Sequence, residues 1–134
     1  MRVVFTVLLA GAASFAFAHE NPSLKGQCFV PQGKQQGKPQ VHACQIDSGG
    51  GAGGMYTTFK IDTQTYLIEE SLMCDENTAC TVSLGSDPSR LKDAATYQRN
   101  VYTKREVPEG LYDQYWSCVR QIKGKMDVCY RVLP

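Results

Sequence analysis

The chain has 134 residues, of which 43% are hydrophobic and 20% charged, and its formal charge is +1. That length makes one domain with a modest core. The charge balance excludes a general nucleic-acid or anionic-membrane binder, which needs a basic excess.

In chain order, Met1-Arg2 is a short positive region, Val3 to Phe17 is almost wholly apolar, and Ala16-Phe17-Ala18 is a small-x-small cleavage site. These are the parts of a secretory signal peptide, too short and wrongly flanked for a membrane span. The expectation is therefore a signal peptide over 1–18 and a single secreted or periplasmic β-rich domain over 19–134, with no membrane span. Removing Arg2 brings the basic residues level with the 13 acidic ones.

Six cysteines, Cys28, Cys44, Cys74, Cys80, Cys118 and Cys129, all follow the leader. An even number in an exported chain reads as three disulfides. Spacing favours the local pairing Cys28–Cys44, Cys74–Cys80 and Cys118–Cys129, because each pair brackets turn-rich residues. Zinc would need CxxC-like pairs or nearby histidines, which the sequence lacks.

Gln27 to Val30 reads as a short strand, Pro31 to Pro39 as an exposed loop, and Val41 to Ile46 as the returning strand. Ser48-Gly-Gly-Gly-Ala-Gly-Gly54 follows. Met55 to Ile61 alternates, with Met55, Thr57, Phe59 and Ile61 on one face; Thr65 to Glu70 returns after a turn at 62–64. A polar loop spans Cys74 to Cys80, and Thr81 to Leu84 is a further strand. Asp87-Pro88 is a helix start signal, so Ser89 to Tyr97 is predicted as a two-turn helix, with a strand over Gln98 to Glu106.

Tyr115 to Val132 reads as the closing hairpin, with a two-residue turn at Lys123-Gly124, glycine supplying φ > 0. That register pairs Cys118 with Cys129, Arg120 with Asp127, Val119 with Val128 and Ser117 with Tyr130. Val119, Met126, Val128 and Tyr130 then share an apolar face. In a two-residue turn the cysteines fall on a hydrogen-bonded pair, where Cα atoms are too far apart for comfort; a longer turn or bulge would relieve this. The fold class expected is a small disulfide-stapled, all-β antiparallel sandwich or barrel of about seven short strands with one short helix.

No catalytic or cofactor signature stands out, and no cofactor is expected. The glycine run lacks the Gly-Lys-Ser/Thr of a phosphate loop. It reads as a flexible connection or a small-residue loop that contacts a partner through Ser48, Gly49, Gly50, Gly51, Gly53, Gly54 and neighbouring Tyr56. Arg99, Tyr102, Arg105 and Trp116 are the residue types that dominate protein hot spots. Together these point to a protein-binding module, an inhibitor or immunity-type factor whose partner is another secreted or periplasmic protein. Two alternatives have chemistry behind them. His42 with a carboxylate such as Glu69 or Glu70 would suit a small secreted hydrolase or toxin. His19, exposed as the mature N-terminus, would offer copper an amine and a ring nitrogen. Asp75, Glu76 and Asn77 lack the spacing of a calcium loop.

Overall fold

The computed structural model describes residues 19–31, 39–51, 53–110 and 114–134. The expected signal peptide and the greater part of the Pro31–Pro39 loop lie outside the described residues. The strands are β1 (His19–Glu20), β2 (Leu24–Phe29), β3 (His42–Gly51), β4 (Gly54–Ile61), β5 (Gln64–Ser71), β6 (Val82–Gly85), β7 (Lys92–Asn100), β8 (Glu106–Val107), β9 (Tyr115–Gln121) and β10 (Asp127–Val132). The all-β class is as expected, and a barrel rather than a sandwich is what forms. Eight strands close in the order β3-β2-β10-β9-β7-β6-β5-β4, with β4 pairing back to β3. Every pairing is antiparallel, while β1 adds to β3 and β8 to β7.

Closure follows from period-two patterning on every strand. Inward residues form the main core: Cys28, Ile46, Phe59, Ile61, Tyr66, Ile68, Leu84, Val119 and Val128. A second, smaller core lies outside the barrel wall, where Phe29, Trp116, Cys118 and Cys129 are sealed by Val41, Tyr97 and Val101. Trp116 meets Phe29 edge-on, with ring centroids 4.8 Å apart. The face of the closing hairpin opposite the barrel interior is therefore a packed layer as well as a charged one. The three disulfides are Cys28–Cys44, Cys74–Cys80 and Cys118–Cys129, the local pairing that spacing favours.

Five expectations are corrected, the first being the strand count, which is ten rather than about seven. The helix over Ser89 to Tyr97 is reduced to a single 3-10 turn, Pro88–Arg90, and β7 takes the rest. The start signal itself is present, since Asp87 Oδ1 accepts the Ser89 N–H at 2.9 Å. Beyond it, β7 pairs with β9 from Ala94↔Gln121 to Asn100↔Tyr115, and that long ladder overrides local helix propensity. The strand expected over Gln98 to Glu106 is consequently split by a turn at Val101–Thr103 between β7 and β8.

The hairpin register is as predicted, Cys129↔Cys118, Asp127↔Arg120, Val128↔Val119 and Tyr130↔Ser117. Its turn is longer. The Gln121 N–H donates to the Met126 carbonyl at 2.9 Å, so residues 122–125 form the loop. This moves hydrogen-bonded pairs to 121/126 and, by alternation, puts Cys118 and Cys129 on a non-bonded pair. Their Cα atoms are 4.1 Å apart. Gly124 is needed there for close approach rather than for φ: a Cβ would run into the Gln121 side chain.

Most of the described glycine run is strand rather than a flexible connection. Ser48 to Gly51 belong to β3 and Gly54 opens β4, with Gly51↔Gly54 flanking the turn. Crowding requires a small residue at two of these positions: a Cβ on Gly49 would lie 2.6 Å from the His19 carbonyl and 2.7 Å from the Tyr56 ring, and one on Gly54 would lie 2.8 Å from the Glu70 carbonyl. Only Gly53, at φ 105°, uses glycine's conformational freedom.

Candidate functional site

The two ends of the barrel differ. At one end lie the tight Asp62–Thr63 turn and the 122–125 turn, and the interior there is filled by Phe59, Ile61, Tyr66, Leu84 and Val128. Gln121, 6% exposed, plugs this end. Its Nε2 donates to the Leu84 carbonyl at 2.7 Å and its Oε1 accepts the Met126 N–H at 3.1 Å, so a buried amide is fully paired.

At the other end the same strands continue inward-facing positions with polar residues. On β5 the series Tyr66, Ile68 runs on to Glu70; β7 contributes Gln98, β9 Ser117 and β10 Tyr130, with Ser117 paired to both Gln98 and Tyr130 in register. These line an open recess of 290 Å³ together with Glu109 and Tyr115. A second recess of 410 Å³ adjoins it, bounded by the glycine hairpin, Met55, Tyr56, Glu69 and the shared Glu70. Burial raises the Tyr130 phenol above its usual range, and the Glu70 charge adds to that while a Thr57 hydrogen bond opposes it. Tyr130 therefore stands in the recess as a neutral hydroxyl at physiological pH.

The rim of this end is apolar. The loop after β5, stapled by Cys74–Cys80, carries Leu72 at 55% and Met73 at 77% exposure. It is tied to the glycine hairpin by the Leu72 N–H, which donates to the Gly53 carbonyl at 3.0 Å. Asp75 Oδ1 accepts the N–H groups of Asn77 and Thr78, both at 2.8 Å, so this carboxylate organises the loop. Tyr102, 83% exposed, tops the turn after β7 on the same rim, where Asn100 Oδ1 accepts the Tyr102 N–H at 2.8 Å.

The residues singled out from sequence are therefore distributed unevenly. Gly50, Gly51, Gly53, Gly54 and Tyr56 line the larger recess, while Ser48 and Gly49 lie one step along β3. Tyr102 is on the rim, and Arg105 is exposed beside it. Trp116, at 2% exposure, is interior: its indole N–H donates to the Val101 carbonyl and Arg131 covers its face at 4.8 Å. Arg99 braces the turn, donating to the Lys104 carbonyl at 2.8 Å. His42 faces Asp62 with Nδ1–Oδ1 4.0 Å at the filled end. Glu69 and Glu70 are seven or eight residues further along β5, roughly 20 Å away, so the barrel does not bring them to His42. His19 pairs with Gly50 in β1 and is exposed. Among the described residues no group of three or more His, Cys, Asp or Glu is placed to hold a metal ion.

Leu72, Met73 and Tyr130 were not singled out as site residues by sequence, nor was Glu70 as a recess residue. A signal was present: the inward apolar series of β5 stops at Glu70, and two large apolar residues then precede a polar loop.

No protein-family model matches this chain, and no curated protein or solved structure matches it. The fold itself defines a small, disulfide-stapled, closed antiparallel barrel, filled at one end and polar-lined and open at the other. Among the described residues no helix is long and apolar enough to cross a membrane.

Proposed function

We propose that this is a secreted or periplasmic protein-binding module, an inhibitor or immunity-type factor that docks on an exported enzyme through the open end of its barrel. One observation carries the reading. Of the nine exposed large hydrophobic residues among those described, only Ile122 lies at the filled end; Leu24, Met55, Leu72, Met73, Tyr102, Tyr115, Val132 and Leu133 all belong to the open end. Apolar surface gathered on one end is the mark of an interaction site. The covalent staple beside Leu72 and Met73 supports the same reading, because a pre-ordered loop loses little entropy on binding. Three disulfides fit an oxidising compartment.

The test is affinity capture from the compartment into which the protein is exported, with three forms of the bait. The intact protein and an Ile122→Asp variant are expected to retain the same partner, and a Leu72→Asp/Met73→Asp variant to lose it. Retention by the double variant, or loss by Ile122→Asp while it remains folded, overturns the assignment of the open end. N-terminal sequencing of the same preparation is expected to begin at His19; a start at Met1 overturns the export.

A further inference from the structure

The chemistry of the open end narrows what its partner presents. The two adjoining recesses share Glu70, and the smaller is lined by Glu70 and Glu109, the phenols of Tyr115 and Tyr130, and the side chains of Gln98 and Ser117. Among the described residues no Lys, Arg or His lines either recess. Among the described residues the ion pairs are His42–Asp62, Arg90–Asp87, Arg120–Glu106 and Arg120–Asp127, so Glu69, Glu70 and Glu109 have no cationic partner. Elsewhere on this barrel the exposed charges are interleaved: Arg120 lies between Glu106 and Asp127 and 4.2 Å from the Tyr97 ring. Among the described residues these two recesses join a concave wall to negative charge, whereas Arg131 lines another recess at the same end, beside Tyr115.

Position gives Glu70 its weight. It is the inward residue of β5 at the mouth, in register with Met55 of β4 on one side and Val82 of β6 on the other. A carboxylate held between two apolar neighbours, facing a half-buried phenol, is poorly solvated compared with one on a loop. A cation entering the mouth would gain charge-assisted hydrogen bonds from it. It would also meet two tyrosine rings, whose faces attract ammonium and guanidinium groups. The gain is larger here than at a fully exposed carboxylate, because Glu70 is half-buried.

We propose that the mouth of the barrel is a cation pocket that receives a lysine or arginine side chain of the docked protein, with Glu70 as its charge partner and Tyr130 and Tyr115 as its walls. This rests on the protein-binding reading and specifies the chemistry of the contact: an apolar rim surrounds a central charged anchor, the arrangement in which water exclusion makes a central contact count most.

The experiment uses the intact protein and two small probes, Nα-acetyl-lysinamide and its uncharged Nε-acetylated counterpart, followed by NMR. The charged probe is expected to shift Glu70, Tyr115 and Tyr130 resonances saturably, and the acetylated one to leave them unmoved. Glu70→Gln, nearly isosteric and half-buried, is expected to weaken the charged probe about tenfold or more, while Glu76→Gln on the stapled loop leaves it unchanged. Equal shifts from both probes, no saturable shift up to the solubility limit, or full binding by Glu70→Gln overturns the pocket. The Leu72→Asp/Met73→Asp variant separates the two readings. If it loses the protein partner while wild type fails to bind the charged probe, the docking end stands and the cation pocket falls. If it keeps the partner while the probe binds the mouth, the pocket stands without the proposed docking role.

Discussion

Tyr97 shows how a single residue is committed by its neighbours. Its hydroxyl donates to Asp127 Oδ1 at 2.6 Å and accepts from Arg99 Nε at 3.2 Å, while Arg120 lies over its ring. Burial, then the Asp127 hydrogen bond, push its phenol up to about 12, with Arg99 opposing. A phenol raised in the folded state favours the neutral form, so its contribution to stability is complete below about pH 10, the unfolded value, and is lost as pH rises towards 12. In an alkaline titration read at the phenolate absorbance, the folded protein is expected to show a late phenol that Tyr97→Phe removes. The variant's stability should also fall less steeply over that interval. A late phenol unchanged in Tyr97→Phe would refute the assignment. The sequence offered the Arg120–Asp127 pair but not the place of Tyr97 beside it, since Asp127 is 30 residues from Tyr97.

At the scale of the element, the β9–β10 hairpin was the part read most fully. Alternation gave its two faces, and a turn centred on Lys123-Gly124 gave its pairs; a one-residue slip would turn every apolar side chain outward. The turn was not legible, since its length depends on Gln121 reaching under the loop to bond β6. Gly124→Ala is expected to destabilise the protein, the new methyl pushing Gln121 away from the Leu84 carbonyl and the Met126 N–H. Gln121→Ala is expected to cost about 1–3 kcal/mol by leaving those groups unpaired. The two effects share one cause, so in urea unfolding Gly124→Ala should cost much less in the Gln121→Ala background; simple additivity would count against it. The glycine run teaches the same lesson. Composition suggested a pliable linker, yet Gly49, Gly50, Gly51 and Gly54 are strand residues, and Gly49 is kept small by the ring of Tyr56 and by β1.

Across the whole molecule, the three bridges all close short loops, with sequence separations of 16, 6 and 11 residues. Loop entropy alone would make Cys74–Cys80 and Cys118–Cys129 about equal, on the order of 2–3 kcal/mol each. Their surroundings separate them. Cys118 and Cys129 are 1% and 0% exposed within the Phe29–Trp116 core, whereas Cys74 and Cys80 sit on the rim. Replacing Cys118 and Cys129 by Ala is therefore expected to cost a packing contribution in addition, and to lower the thermal midpoint more than Cys74→Ser/Cys80→Ser does. The rim variant should keep the barrel's circular dichroism and lose partner capture. Equal midpoints for the two would contradict this division between a core staple and a site staple.

The sequence by itself determined the class and most of the strand faces, and it favoured the disulfide pairing that forms, because period-two alternation and short cysteine spacings are local and survive any arrangement of the strands. It did not determine that β7 is a strand. That depended on a ladder with β9, some twenty residues away, outweighing a good helix start. Nor did it determine barrel closure, which needed β3 to pair with β2 along one half and with β4 along the other. The end proposed for docking was decided in the same way. Glu70, Leu72 and Met73 look ordinary in order, and only closure of the sheet sets a carboxylate and phenols from distant strands inside one apolar rim.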